Sequence, residues 1–409
     1  MGNFRQATGF MNPELYDLYL RSCLPAHPQG AYSPGTPHAH ACALASFPPG
    51  RFPHPSGRDE AYHESPFFVN LKGLSCFFCL QQYPSKTTAL CVYLNSLDTA
   101  ASPTFIVRGK KLTLSPLTPG TTHMRLVTFS HQGQRRLGAR SGDAVIDLNA
   151  ADTSIPPTMR EFLSGGEASL TSATAAVAKG EHGIPSSDVT IHAPIHDPEK
   201  IICIGLNYAD HAAESGMPIP DEPIVFSKYA SSIIDPGDNI VAPNVSSQVD
   251  YEVELVVAIG KGGRNIPEEQ ATDHVAGYMV GHDVSARDYQ LEKPGGQWMM
   301  GKTFDTFAPI GPDLVTTDDV PDPHCLGIRC ILNGETVQDS NTSQLIFKVP
   351  TLIAYLSHVF TLSPGDLIFT GTPPGVGMGR DPQLWLKHGD QVVCEVDGLG
   401  RLENPVVAG

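Results

Sequence analysis

From Met124 onward, apolar and polar positions fall into short runs with a readable period. Arg125–Phe129 alternates as a strand does, a polar turn follows at His131–Gln134, and apolar residues return near Leu137–Arg140 and Ala144–Leu148. The pattern then predicts a helix around Thr158–Leu163. Two prolines and two acidic residues in PIHDPE (194–199) interrupt both periods and read as a linker. Beyond it, β-branched runs (KIICIG, VDYEVELVVAIG, HVAGYMVGHDV, GIRCILNGE, DLIFTG) alternate with Gly and Pro turns. The expected class is α+β, mainly β: a small N-terminal α+β domain over 124–196 and a larger strand-rich domain over 197–409.

Residues 1–123 have another character, dense in Pro, Ser and His and without a sustained period. Such a segment has little apolar burial to set against the entropy of ordering its backbone, so it reads as a low-complexity, disordered extension with short apolar islands at Leu71–Leu80 and Leu90–Leu94. Cys76 and Cys79 form a CxxC there, but the second closely spaced pair that a structural zinc site needs does not follow, so incidental thiols are the stronger reading.

Charge divides the chain at the same place. Before Met124 there are 9 Lys+Arg against 6 Asp+Glu; from Met124 on, 18 against 37. The formal net charge of -16 argues against nucleic acid or an anionic membrane surface as partner. No apolar run approaches the roughly 18 residues of a membrane span. Nine cysteines without a paired framework fit a reducing compartment.

The chemistry gathers in a few segments. In YEVELVVAIG, alternation sends Glu252 and Glu254 to one face of a strand, about 7 Å apart at the usual rise per residue. By spacing alone, a solvated acidic edge explains them best. A second apolar run ends in GHDVSARD and adds Asp283, and three carboxylates suit a hard cation such as Mg²⁺ or Mn²⁺ better than Zn²⁺. His282 should point to the opposite face, as a core residue or a support beneath the site. In NYADHAAESG, His211 and Glu214 are three apart on a short helix starting near Tyr208, where a carboxylate can orient an imidazole as a general base; an exposed ion pair is the plainer reading of the same spacing.

The ordered set GLNYADH, DYEVELVVAIG, GHDVSARD, MGKTFDTF, TSQLIF and TGTPPGVG resembles the fumarylacetoacetate hydrolase family over about Met124 to Val407. The resemblance implies a mixed β-roll catalytic domain with a deep pocket, a homodimer, and Mg²⁺ or Mn²⁺ held by Glu252, Glu254 and Asp283. It implies His211 and Glu214 as a water-activating dyad on a segment that orders over the substrate, and Lys302 as the cation beside the metal, with Thr306 in support. Arg287, Gln290 and Thr372 match positions that reach the substrate, although Arg287 has an equally simple use as the partner of a neighbouring carboxylate. Leu206 departs from the Arg of the acylpyruvate-hydrolyzing members.

The implied substrate is a small 2-oxo acid. The first expectation is oxaloacetate keto–enol tautomerisation, with C–C hydrolysis of acylpyruvates or fumarylacetoacetate-like acids, or oxaloacetate decarboxylation, as alternatives, and an inactive dicarboxylate-binding or scaffold relative as the other class. The resemblance suggests mitochondria, with the cytoplasm as alternative, because the first residues show no clear presequence.

Overall fold

The computed structural model describes residues 124–409 and, before them, only backbone strands. Four of these form a sheet in the order His40–Phe47, Thr88–Asn95, Leu74–Gln82, Phe67–Leu71. They belong to a unit ending at Thr121. The rest of that segment, including any metal role for Cys76 and Cys79, lies outside the described residues and side chains.

Thr122–Gly409 is one compact unit. It carries strands β1 (Arg125–His131), β2 (Gln134–Ser141) and β3 (Ala144–Asp147), then helices α1 (Met159–Ser164) and α2 (Gly166–Lys179). There follow β4 (Gly183–Pro185), β5 (Ile201–Gly205), helix α3 (Ala209–Glu214), β6 (Ile224–Lys228), β7 (Val253–Ile259) and β8 (Val275–His282). Helix α4 (Trp298–Lys302), β9 (Ala308–Thr316) and β10 (Leu367–Phe369) complete the main elements. The strands line up as β4-β3-β2-β1-β9-β8-β7-β10-β5-β6 along a mixed twelve-stranded sheet. A five-stranded sheet built from Ile240–Ala242, Gly400–Ala408, Gln391–Val396, Gly327–Leu332 and Glu335–Asn341 accompanies it.

The leading strands form as the alternation predicts, and β1 pairs with β9 through Leu126↔Leu314, so the sheet continues across the expected linker. Asp313, buried at the centre of this junction, takes the Nε–H groups of Arg125 and Arg140 at 2.8 and 2.7 Å. The 14-residue helix α2 was not foreseen. It buries only Ser169, Ala173 and Ala176, so the apolar stripe that would reveal its period is almost absent.

Central strand β7 is buried along its whole length. Leu255, Val257 and Ile259 enter one core and Val256 and Ala258 another, which is why the run reads as nearly continuous apolar sequence. Gly281 of β8 lies opposite Glu254; a Cβ there would come within 2.4 Å of Val256 Cγ2 and 2.8 Å of Phe369 Cε1. The close approach requires glycine.

Candidate active site

The carboxylates converge where β7 begins and β8 ends. Antiparallel register sets Val253 against His282 and Glu254 against Gly281, and the Asp283 N–H donates to Glu252 O at 2.9 Å. Ligating oxygens of Glu252, Glu254 and Asp283 therefore fall within 4.8 Å of one another, all three side chains buried. The acidic edge is excluded: Glu254 is 1% exposed. His282 shares the face of Val253, away from the carboxylates, as the alternation predicts.

Three buried cations stand against these anions. Lys302 Nζ donates to Glu252 Oε2 at 2.7 Å and to Asp283 Oδ2 at 2.9 Å, while Arg287 Nη2 donates to Glu252 Oε1 at 2.6 Å. Lys228 Nζ lies 2.6 Å from Asp283 Oδ1. Burial alone would raise the Glu252 pKa, but Lys302 and Arg287 outweigh it and hold the group at about 2. Glu254 goes the other way: burial, then the charges of Asp283 and Glu252, push its carboxyl well above the ordinary range. The hydrogen bond it accepts from Gly371 N–H, 2.7 Å, does not offset them. Burial and the nearby Lys228 lower His282 to about 3, which keeps its imidazole neutral.

A divalent cation fits this cluster. The donors are all carboxylate oxygens, the set a hard ion prefers. Asp283 Oδ1 is buried and accepts no hydrogen bond, its one charged neighbour being Lys228 in an ion pair. Glu254 has no cation in direct contact among the described ion pairs.

Helix α3 brings in the His–Glu pair, with His211 Nδ1 and Glu214 Oε2 3.2 Å apart. The segment is pinned at both ends. Asn207 exchanges hydrogen bonds with the Phe347 backbone and donates to Thr370 O, while both oxygens of Glu214 accept the Gly375 N–H at 3.1 Å. The preceding Leu206 takes φ 50°, a left-handed conformation unusual for a branched side chain and common at functional turns. His211 is near enough to be among the groups whose field acts on Glu252.

The three residues matched to substrate contacts are each bonded within the protein. Arg287 spends three N–H groups on protein: Nε to Asp250 Oδ2 (2.8 Å), Nη1 to Gln290 Oε1 (2.9 Å) and Nη2 to Glu252. Gln290 thus supports Arg287 through its carbonyl oxygen. Thr372 donates to Val253 O at 3.0 Å and accepts from Gln338 Nε2 at 2.9 Å, which ties the TGTPPGVG loop to β7. The Thr306 hydroxyl accepts the Val241 N–H at 2.9 Å.

Sequence reasoning missed three buried residues that organise the site: Lys228, Asp250 and Gln338. Asp250 accepts from Gly377 and Met378 N–H as well as Arg287, and Gln338 Oε1 accepts the Val253 N–H at 3.0 Å. Asp250 directly precedes the YEVE run, and its place beside the acidic pair was the one available signal.

A buried carboxylate cluster at the ends of central strands, faced by lysine and a His–Glu pair on a mixed β-roll, defines a metal-dependent enzyme. The chain belongs to the fumarylacetoacetate hydrolase family, whose model, described as "Fumarylacetoacetate (FAA) hydrolase C-terminal", matches residues 200–407. It is 55% identical over 288 residues to oxaloacetate tautomerase fahd2, mitochondrial, of Xenopus laevis, covering 69% of this chain and 90% of that protein. It is 52% identical to oxaloacetate tautomerase FAHD2A, mitochondrial, of Homo sapiens, over 69% of this chain and 92% of the relative. Among solved structures, maleylpyruvate hydrolase from Sphingobium sp. SYK-6 in complex with manganese(II) and pyruvate aligns with a TM-score of 0.59 and 32% identity, covering 70% of this chain and 100% of that one.

Proposed function

We propose that the protein is an oxaloacetate keto–enol tautomerase. The observation that carries this reading is the buried cluster of Glu252, Glu254 and Asp283 with Lys302 against two of its members and His211–Glu214 beside it. Relatives at 52–55% identity bear that name. Glu252, Glu254 and Asp283 would hold Mg²⁺ or Mn²⁺; the manganese in the maleylpyruvate hydrolase complex supports the class of ion, not the choice. When bound, the ion supplies Lewis acidity to a 2-oxo acid.

The chain's own groups do the proton work. His211, oriented by Glu214, takes or returns the proton at C3 of the substrate. Lys302, whose pKa is raised by Asp283 and Glu252 against the effect of burial, remains an ammonium and offsets negative charge growing on the 2-oxo oxygen. Arg287 keeps Glu252 ionised and aimed, Gln290 braces Arg287, and Thr372 ties its loop to β7.

C–C hydrolysis of an acylpyruvate-like acid is the second reading, favoured by the His–Glu pair, which can equally activate water, and by the similarity to a maleylpyruvate hydrolase. A homodimer is part of the proposal. Among the described residues, edge strand β6 pairs only with β5; exposed Val225 lies on it, Tyr229 (56%) directly after it, and Met300 (44%) on α4, whose Trp298 packs on Phe226 of β6. The mitochondrial names of the relatives support placement in that organelle. No helix among the described residues is long and apolar enough to cross a membrane.

The deciding experiment follows enol-oxaloacetate decay by ultraviolet absorbance with the full chain and Mg²⁺, assaying pyruvate in the same sample. Rapid decay without pyruvate, stopped by chelator, is expected. Decay no faster than without protein would reject the tautomerase, and turnover of acylpyruvates would then establish the hydrolase.

A further inference from the structure

Lys228 belongs to no recognisable motif in the sequence, yet it is among the most deeply buried charges in the protein, its side chain fully inaccessible. An ammonium group has three N–H donors. Those of Lys228 go to three main-chain carbonyls: Val284 O at 3.1 Å, Phe307 O at 2.8 Å, and Lys302 O. Its charge meets Asp283 Oδ1 at 2.6 Å.

The three carbonyls come from separate segments: the residue after Asp283, the end of α4, and the start of the chain into β9. Val284 O and Lys302 O would be costly to bury unpaired, while Phe307 O also takes the Val284 N–H at 3.2 Å. Lys228, at the end of β6, thus joins the backbone that carries Asp283 to the backbone that carries Lys302. Because its N–H groups are spent on carbonyls, it orients the Asp283 carboxylate by charge alone and leaves the lone pairs of Oδ1 without a donor. With Oδ1 so fixed, Oδ2 accepts from Lys302, which also donates to Glu252.

We infer that Lys228 is a positioning residue of this active site, one that sets Asp283 for the divalent ion and Lys302 for the substrate without touching either. The inference rests on the metal-site reading given above.

Two roles for Lys228 make opposite predictions. Were it only a nearby positive charge, its removal would relieve repulsion of the ion and tighten metal binding. As a positioning group, its removal frees the Asp283 carboxylate and the Lys302 backbone, and binding weakens. Partners that orient metal ligands in this way change affinity or activity by roughly 10–100-fold.

The test is Mn²⁺ titration of full-length wild type and Lys228→Met, followed by the electron paramagnetic resonance of free Mn²⁺, with circular dichroism to verify folding. At least a tenfold weaker Kd is expected, together with a drop in kcat larger than the change in KM. An unchanged or tighter Kd in the folded variant overturns the inference. A purely structural role would lower Tm while leaving the affinity of the folded fraction unmoved, and that result also overturns it. Should Lys228→Met not fold, Lys228→Gln, which keeps amide donors, is titrated in its place with the same criteria. Wild type that takes up no Mn²⁺ rejects the metal-site reading itself and this inference with it, whereas wild-type uptake with an unaltered variant rejects this inference alone.

Discussion

Asp250 accepts the Nε–H of Arg287 at 2.8 Å, both side chains buried, and Arg287 donates from Nη2 to Glu252. The same aspartate takes the Gly377 and Met378 N–H groups at 2.6 and 3.1 Å, so one carboxylate ties the glycine-rich loop to the carboxylate cluster. Asp250→Asn puts an amide donor among four donors and leaves Arg287 with one anionic partner. Breaking a buried ion pair from one side costs about 3–5 kcal/mol. Equilibrium urea denaturation should show a loss of that size, and a loss below about 1 kcal/mol, the worth of an exposed pair, would deny the hub its role.

Glu254→Gln keeps the shape of the side chain and its bond from Gly371, and removes only the charge available to a cation. Mn²⁺ affinity should fall at least about a hundredfold, the upper end of what residues merely supporting a ligand produce. Turnover of enol-oxaloacetate should fall with it while the circular dichroism spectrum is retained. Undiminished, chelator-resistant turnover would remove Glu254 from the ligand set.

His211→Asn should lower kcat by roughly 10²–10⁴-fold, the usual worth of a general acid or base. Mn²⁺ affinity should stay within a few-fold of wild type, because His211 is not among the clustered donors. Glu214→Gln retains an oxygen to accept the Gly375 N–H, so its effect should be the smaller and should appear chiefly as a change in the pH profile of kcat. Equal loss of metal affinity and kcat in His211→Asn would instead make the histidine part of the metal site.

Tyr229→Asp combined with Val225→Asp places two charges on the exposed apolar edge at β6. Sedimentation velocity should show wild type as a dimer at micromolar concentration and the double variant as a monomer. A wild-type monomer, or a variant that still dimerises, would place the assembly elsewhere or dispense with it.

The legible parts of this protein were those governed by a local period. Alternation by two put Glu252 and Glu254 on one side and His282 on the other, and a spacing of three put His211 against Glu214, because neighbours on one strand or helix need no distant partner to fix their relative directions. Ordered motifs then named the family. Whether that acidic face met solvent or the interior was not local information: β10 and β8 make β7 a central strand, and Lys302, Arg287 and the Gly371 N–H close on its carboxylates from distant segments. Helix α2 was hidden because small buried residues leave no apolar stripe. Tertiary structure alone turned Arg287 toward Asp250 and Glu252, and Thr372 toward Val253 and Gln338. It alone brought Lys228 to the carbonyls of Val284, Lys302 and Phe307. A main-chain carbonyl is the same in every residue, so a lysine that serves three of them from distant segments leaves no mark in the pattern of side chains, and only the folded register of the strands reveals it.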